Sequence, residues 1–277
     1  MTLGEEPYRA TLEELYSDFA EGAGNDVDSL LDESLGPRGP EMLFDLAAEL
    51  GLASGDAVLD AGCRDGRHSV QLADRFGCWV VGVDLLDANL SRRHDVLRGV
   101  DEHVARRTSF VQGDLQALPF QEESFDFVWN RDVMIHVPDL RAALRELRRV
   151  VRPGGRMLLF QMFATPWLSE DDARRLWPPL AGVPENTEPD YFERCTTEAG
   201  WKIDRMEELK SEWREHAEES GEGRTSRQLL HVSRMLRQRD KYIQAMGRGD
   251  YEGELANALW GVYQMIGKLS PRVYVLA

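Results

Sequence analysis

The chain has 277 residues, of which 42% are hydrophobic and 30% are charged, as is ordinary for a globular protein. Its net charge of −16 disfavours nucleic acid as a partner, because phosphate binding needs clustered Lys and Arg. Cys63, Cys78 and Cys195 form no CxxC pair, and no secretory signal or membrane-spanning apolar run is evident. We therefore expect a cytoplasmic protein without disulfides or a membrane anchor.

Two helices are predicted before the first strand. Apolar residues at spacings of three and four predict an amphipathic helix over residues 8–20, which contains Tyr16. A second helix is predicted at 39–51, where the apolar pattern stops at Gly51. We interpret residues 1–50 as an N-terminal helical lid.

Strands and helices alternate in the next part of the chain. The predicted strands lie near 56–61, 78–84, 108–113, 125–130 and 156–163, and the predicted helices near 66–76, 87–103 and 139–150. Such alternation is typical of parallel strands joined by right-handed crossovers. The sequence therefore predicts an α/β fold with a mostly parallel, Rossmann-like sheet and helices on both faces.

The pattern changes after residue 165. Prolines interrupt residues 165–186, and a helix near 188–199 precedes a strand at about 201–208. Residues 210–269 are predicted to be a mostly helical insertion, and a last strand is predicted at 272–277. That strand would be the seventh of the sheet. The resulting core comprises residues 51–209 and 270–277.

Acidic residues occur at the ends of two predicted strands. Asp60 is followed by a turn that contains Gly62 and Gly66, and Asp84 ends the next strand. A dinucleotide-binding turn would need glycine at the positions of Arg64 and Arg67, so that type of site is disfavoured. An acid before the turn would attract a cationic amino group, and a second acid suits a ribose.

Residues of about 55–163 resemble a class I S-adenosylmethionine-dependent methyltransferase, whose first motif reads [D/E]-x-G-x-G-x-G. This chain reads Asp-Ala-Gly-Cys-Arg-Asp-Gly from Asp60, so Arg64 replaces the middle glycine. The resemblance implies that the seventh strand is antiparallel to its neighbours. It also implies that Asp60 contacts the methionine amino group, Asp84 the ribose and Asp114 the adenine. The complete set of cofactor-binding residues that it implies is Asp60, Gly62, Cys63, Gly66, Asp84, Leu85, Asn89, Asp114, Leu115, Asn130 and Arg131. In the alternative interpretation the three acids only cap helices. All three would then occupy the motif positions at the strand ends, together with Gly62 and Gly66, by chance.

The segment Arg131-Asp132-x-x-x-His136 resembles phosphoethanolamine and sarcosine/dimethylglycine N-methyltransferases. In the former, the segment contacts substrate and supplies a catalytic histidine that pairs with a tyrosine. The resemblance implies catalytic roles for His136, Asp132 and Tyr16. Ubiquinone-type methyltransferases also carry this histidine without an established base role, so a packing role for His136 stays open.

These features favour a methyltransferase that acts on a small molecule by N- or O-methylation, in bacterial secondary metabolism. Residues 165–186 would form a substrate-side loop and 210–269 a substrate cap. Nucleic-acid methyltransferases that act on base amino groups carry the motif [D/N]-P-P-[Y/F/W] after the fourth strand, and this chain lacks that motif there. No Cys/His spacing indicates a metal site. The alternative is a fold that retains the cofactor but has a non-methylating role, as a cyclase or a structural partner. The sequence does not define the oligomeric state.

Overall fold

The computed structural model describes residues 24–277, so the helix predicted at 8–20, with Tyr16, lies outside the described residues. The chain divides into two units, Met1–Pro37 and Arg38–Ala277. Within the described part of the first unit, helix α1 spans Gly24–Leu31. The sheet and the candidate site belong to the second unit.

The second unit is built on a seven-stranded sheet, as predicted. Its strands are β1 (Ala57–Ala61), β2 (Trp79–Asp84), β3 (Thr108–Gln112), β4 (Phe125–Arg131), β5 (Val151–Ala164), β6 (Ile203–Glu208) and β7 (Leu269–Leu276). Their order across the sheet is β3-β2-β1-β4-β5-β7-β6. The pairs from β3 to β5 are parallel, and only β7 runs antiparallel to its neighbours β5 and β6.

Helices cover both faces of the sheet. They are α2 (Met42–Glu49), α3 (Arg67–Phe76), α4 (Asp87–Leu90), α5 (Arg93–Leu97), α6 (Glu102–Arg107), α7 (Leu140–Val150), α8 (Glu170–Leu176) and α9 (Pro189–Glu198). Helices α7 and α9 bury apolar side chains against one face, and α2 and α3 bury theirs against the other. Asp139 caps α7 by accepting a hydrogen bond from the Ala142 amide, as its position before the apolar stripe indicates.

The prediction of one helix over residues 87–103 is wrong, because the structure has three short helices, α4 to α6, between residues 87 and 107. The break follows from the backbone of Arg98 to Asp101. Arg98 and Asp101 are extended, and Gly99 has a φ of +87°, which a continuous helix does not permit.

The insertion before β7 is helical, as predicted, and consists of α10 (Glu212–Glu219), α11 (Arg224–Arg237), α12 (Arg239–Met246) and α13 (Arg248–Met265). Buried side chains of α8, α11 and α13 form a third apolar cluster with the ends of β5 and β7. This cluster attaches the insertion at the carboxyl edge of the parallel strands. Within residues 24–277, no helix has the length and hydropathy that crossing a membrane requires.

Candidate functional site

The turn after β1 depends on two of its glycines for conformation and for space. Gly62 has a φ of +82° and Gly66 a φ of +84°, both in the left-handed region that favours glycine. A Cβ on Gly62 would lie 2.3 Å from a methyl of Val133, and one on Gly66 would lie 2.3 Å from the ring of Phe110. Both predicted glycines are therefore required to build the turn.

Arg64, which replaces the motif's middle glycine, is exposed and keeps the glycine-like backbone with a φ of +52°. Its amide donates a 2.9 Å hydrogen bond to Asp84 Oδ2, so the strained residue still joins the turn to β2. Cys63 next to it is 4% exposed, and burial raises the pKa of its thiol, so it packs as an apolar side chain.

Asp60 lies in β1 with only 2% of its surface exposed, and Ser69 Oγ donates a 2.6 Å hydrogen bond to its Oδ2. Burial raises the pKa of this carboxyl to about 7, and the nearby Asp84 charge adds to the effect. The hydrogen bond from Ser69 and the charge of Arg131 oppose that shift. A cationic ligand group beside Asp60 would relieve the cost of its buried negative charge.

Arg131, the last residue of β4, lies near Asp60 on the same face of the sheet. Its Nη1 is 2.5 Å from His68 Nε2. Burial lowers the pKa of His68 to about 4, and the charge of Arg131 adds to that shift, so the imidazole is neutral and accepts the hydrogen bond. Among residues 24–277, no carboxylate is within salt-bridge distance of Arg131. Its guanidinium is therefore free to take a ligand's anionic group.

Two aromatic rings pack against Arg131. Phe160 and Trp213 are stacked with centroids 4.3 Å apart, and the Arg131 guanidinium carbon lies 5.3 Å from the Trp213 centroid. Phe44 of α2 stacks on Trp129 at 4.9 Å and lies 6.3 Å from the ring of His68, the residue that contacts Arg131. Trp213 belongs to α10, so the helical insertion supplies one of the rings that pack on the arginine.

Asp84 ends β2 and is 9% exposed. Its Oδ1 accepts hydrogen bonds of 2.9 Å from the Leu86 amide and from Asn89 Nδ2, and its Oδ2 accepts the bond from Arg64. Asn89, predicted to bind the cofactor, thus orients the acid in this structure. The carboxylate lies at the strand end, where a ribose diol would approach.

The third acid, Asp114, follows β3, and its carboxylate accepts hydrogen bonds from the Gln116 amide and from Gln116 Nε2. Leu115 beside it is 7% exposed, whereas Leu85, which follows Asp84, is 59% exposed. The exposed Leu85 side chain, directly after Asp84, provides an apolar surface for a planar ring.

Two residues at or just after the end of β4 each have a buried side-chain oxygen without a hydrogen-bond partner among residues 24–277: the amide oxygen of Asn130 and one carboxylate oxygen of Asp132. Asn130 donates 2.9 Å from Nδ2 to the Ala61 carbonyl, but its Oδ1 has no hydrogen-bond partner among residues 24–277. Asp132 has a φ of +58°, and its buried Oδ1 is also unpartnered in this part of the chain. Burial raises the pKa of Asp132 to about 6, against the opposing charges of His136, Arg131 and Arg214. Unpaired buried oxygens and a strained backbone are features of ligand sites.

His136 is the last residue of a 3-10 turn, Met134–His136, that follows β4, and its side chain is exposed. Its Nδ1 lies 3.2 Å from the carbonyl oxygen of Ala181. A carbonyl only accepts hydrogen bonds, so this contact assigns a proton to Nδ1, and whenever the ring is neutral the lone pair is on Nε2. This is the tautomer that a general base needs if it is to act through Nε2.

The structure brings together most of the predicted site residues at the carboxyl ends of β1 to β4. The predicted set of site residues does not include His68, Ser69, Trp213 and Arg214, which lie near Asp60, Arg131 or Asp132. Their positions in ordinary helical patterns gave no signal of this proximity. Within the described part of the chain, no group of three His, Cys, Asp or Glu side chains is arranged to hold a metal ion.

The site fits the expected cofactor in chemical terms. Asp60 and Arg131 present one negative and one positive group, which match the ammonium and carboxylate of an amino-acid headgroup. The unpartnered Oδ1 of Asn130 lies beside the same turn and adds an acceptor. Asp84 and Leu85 then suit a ribose and an attached planar base.

Comparison with known proteins supports this interpretation. A family described as "Methyltransferase domain" matches residues 59–159. The 27-O-demethylrifamycin SV methyltransferase of Amycolatopsis mediterranei is 31% identical over 193 residues, which cover 68% of this chain and 70% of that protein.

Two solved structures share the fold. A putative sarcosine dimethylglycine methyltransferase from Galdieria sulphuraria superposes with a TM-score of 0.64 at 16% identity, over 85% of this chain and 82% of that one. The [4+2]-cyclase SpnF has a TM-score of 0.62 at 20% identity, over 85% of this chain and 79% of that one. At such identities the likeness establishes the fold alone.

Proposed function

The chain belongs to the class I S-adenosylmethionine-dependent methyltransferases and uses S-adenosylmethionine as its cofactor; we propose that it methylates a hydroxyl group of a small molecule with His136 as general base. The observation that carries the proposal is the contact between His136 Nδ1 and the Ala181 carbonyl. In the neutral form of the ring, this contact makes Nε2 the basic nitrogen, on an exposed side chain at the carboxyl edge of the sheet.

The first step of the proposal concerns how the cofactor is held. Asp60 would pair with its ammonium group and Arg131 with its carboxylate, while Asp84 would accept hydrogen bonds from the ribose hydroxyls. Leu85 would pack against the adenine, and the Asp114 carboxylate would accept a hydrogen bond from the adenine amino group. When bound there, S-adenosylmethionine supplies an electrophilic methyl group on a sulfonium.

The second step concerns the acceptor. A hydroxyl arrives protonated at neutral pH, so methylation of oxygen needs a base, and Nε2 of His136 is available to take the proton. Asp132, with its unpartnered Oδ1, would accept a hydrogen bond from another polar group of the acceptor. The remaining contribution of the protein is to orient the oxygen in line with the methyl group and to exclude water.

An oxygen acceptor also agrees with the relative from Amycolatopsis mediterranei, whose name denotes methyl transfer to an oxygen of a rifamycin. This similarity supports a role of the reaction in bacterial secondary metabolism. Nitrogen is the competing acceptor, because the Arg131-Asp132-x-x-x-His136 segment resembles that of N-methyltransferases.

The test is incubation of the protein with S-adenosylmethionine and a panel of hydroxylated and aminated bacterial natural products, with mass spectrometry of S-adenosylhomocysteine and methylated product. His136→Ala should lower turnover by about 10²-fold and leave cofactor affinity unchanged. His103→Ala, at an exposed histidine of α6, is the matched control and should have no effect. Full turnover by His136→Ala would remove the base role.

The non-methylating alternative predicts a different outcome. In that case S-adenosylmethionine would bind, for example in calorimetry, but no acceptor would yield S-adenosylhomocysteine. The similarity to SpnF concerns the fold and adds no site observation in favour of cyclisation.

A further inference from the structure

The turn that carries His136 is held by a second segment of the chain, residues 181–186. Asn186 is 1% exposed, and its Nδ2 donates 2.8 Å hydrogen bonds to the carbonyls of both Met134 and Val137. The amide of Val183 donates a 2.7 Å bond to the Ile135 carbonyl between them. Three hydrogen bonds thus fix the backbone on both sides of His136.

The orientation of the Asn186 amide follows from its partners. Both are carbonyls, which only accept, so the NH2 group must face them and both of its hydrogens are used. The backbone carbonyl of Asn186 in turn accepts a 3.3 Å hydrogen bond from Nε2 of Gln161, a side chain of β5 with no exposed surface. Asn186 therefore connects the His136 turn to the rigid sheet.

The same segment also supplies the partner of the imidazole. Ala181 has a φ of +52°, a conformation that costs a non-glycine residue roughly 1 kcal/mol or more. This backbone places the Ala181 carbonyl at Nδ1 of His136, and Gly182 and Val183 continue directly into the hydrogen bond to Ile135.

We propose that Asn186 is a positioning residue that holds His136 against the Ala181 carbonyl and thereby fixes its Nδ1–H tautomer. The inference builds on the proposed base role of His136, but the tautomer exists in the free protein whether or not the acceptor is known. Residues 181–186 thus set which nitrogen is basic, and the acceptor meets Nε2.

The first measurement is made on the unmodified protein. Nitrogen-15 labelling of its histidines, with His136→Gln to assign the signal, reports by NMR which ring nitrogen carries the proton. We expect Nδ1–H for His136 at a pH where the ring is neutral. A predominant Nε2–H form, or a rapidly exchanging mixture, would overturn the proposal.

The second measurement uses Asn186→Asp, which keeps the shape of the side chain but removes both donors. Its His136 should lose the fixed Nδ1–H signal, and kcat should fall by about tenfold or more with the KM for S-adenosylmethionine unchanged. Thr187→Val is the matched control, because Thr187 is equally buried but its hydroxyl bonds only the Pro184 carbonyl in the described structure. That variant should keep the tautomer and kcat.

The outcomes separate the two proposals. A fixed tautomer in Asn186→Asp would refute the role of Asn186, even if that variant were less stable. A fixed Nδ1–H tautomer in the unmodified protein together with full activity of His136→Ala would instead refute the general-base role of His136. The proposal that Asn186 positions the ring would then still stand.

Discussion

Replacing Asp60 by Asn should make the protein more stable and a worse binder of its cofactor. The side chain is 2% exposed, and burial raises the pKa of its carboxyl from 3.8 to about 7. An acid with a raised pKa in the folded state binds its proton more tightly there than in the unfolded chain. The contribution of Asp60 to the free energy of unfolding therefore falls as pH rises from about 4 to about 7, and it stays low above pH 7.

The magnitude follows from 1.36 kcal/mol for each pKa unit. Between pH 5 and pH 8 the wild-type protein should lose about 3 kcal/mol through Asp60, whereas the asparagine side chain of the variant does not titrate. The stability gap between Asp60→Asn and the wild type should therefore grow by about 3 kcal/mol in favour of the variant. Urea denaturation of both proteins at the two pH values measures this double difference, in which the other titrating groups cancel.

Cofactor affinity should change in the opposite direction. Only the ionised carboxylate attracts the ammonium of the methionine part, so wild-type affinity should rise from pH 5 to pH 7, by at most about tenfold per pH unit. Asp60→Asn should bind more weakly and lose that dependence. Isothermal titration calorimetry in buffers of different ionisation enthalpy would detect the accompanying release of protons by the wild type.

Asp126→Asn provides a control of opposite sign. Partial burial raises the pKa of Asp126, but the hydrogen bonds that it accepts from the Ala57 amide and from Arg152 outweigh this effect and hold the pKa below its usual value. That variant should be less stable than the wild type at pH 5 and at pH 8 alike. A stability gap for Asp60→Asn that does not change with pH would refute the assignment of a buried, raised-pKa acid.

Three further substitutions test the turn and its neighbouring acid. Asp84→Ala should weaken cofactor binding by about 1 to 3 kcal/mol, because a buried hydrogen-bonded charge is lost; unchanged affinity in calorimetry would contradict the ribose assignment. Arg64→Gly should raise the free energy of unfolding by up to about 1 kcal/mol, because it removes the strain of a positive φ; a loss of stability in urea would contradict this. Gly66→Ala should cost about 3 kcal/mol, from its positive φ and the overlap with Phe110. Gly51→Ala, with a similar φ of +87° and nothing within 4 Å, should cost only about 1 kcal/mol in the same assay.

The sheet could be predicted because apolar runs and their spacing are local signals. Each of the seven predicted strands overlaps an observed one, and the reversal of β7 follows from the family resemblance. The segment between Asp87 and Arg107 was mispredicted because its apolar residues keep a helical spacing while Gly99 breaks the backbone. Periodicity reports which face of a helix would be buried, and it does not report whether the hydrogen-bond ladder continues.

The acids of the site could be predicted from their positions at strand ends, since parallel strands end at one edge. The partners of those acids could not. His68 contacts Arg131, which is 63 residues away in sequence, and Asn186 contacts Met134, which is 52 residues away. Such contacts arise only when separate elements pack together. An Asn after a proline-rich stretch looks like any loop residue, so its two hydrogen bonds to the histidine turn had no local signature.

The hydrogen bonds between residues 181–186 and the histidine turn have a consequence for protein engineering. If the segment 165–186 lines the acceptor, as its sequence predicts, an exchange of this loop between relatives would change selectivity and proton transfer together. A chimaera that receives a foreign loop without Asn186 would accept a new molecule with a poorly oriented base. A chimaera that retains Ala181–Asn186 and exchanges only residues 165–177 would separate the two properties.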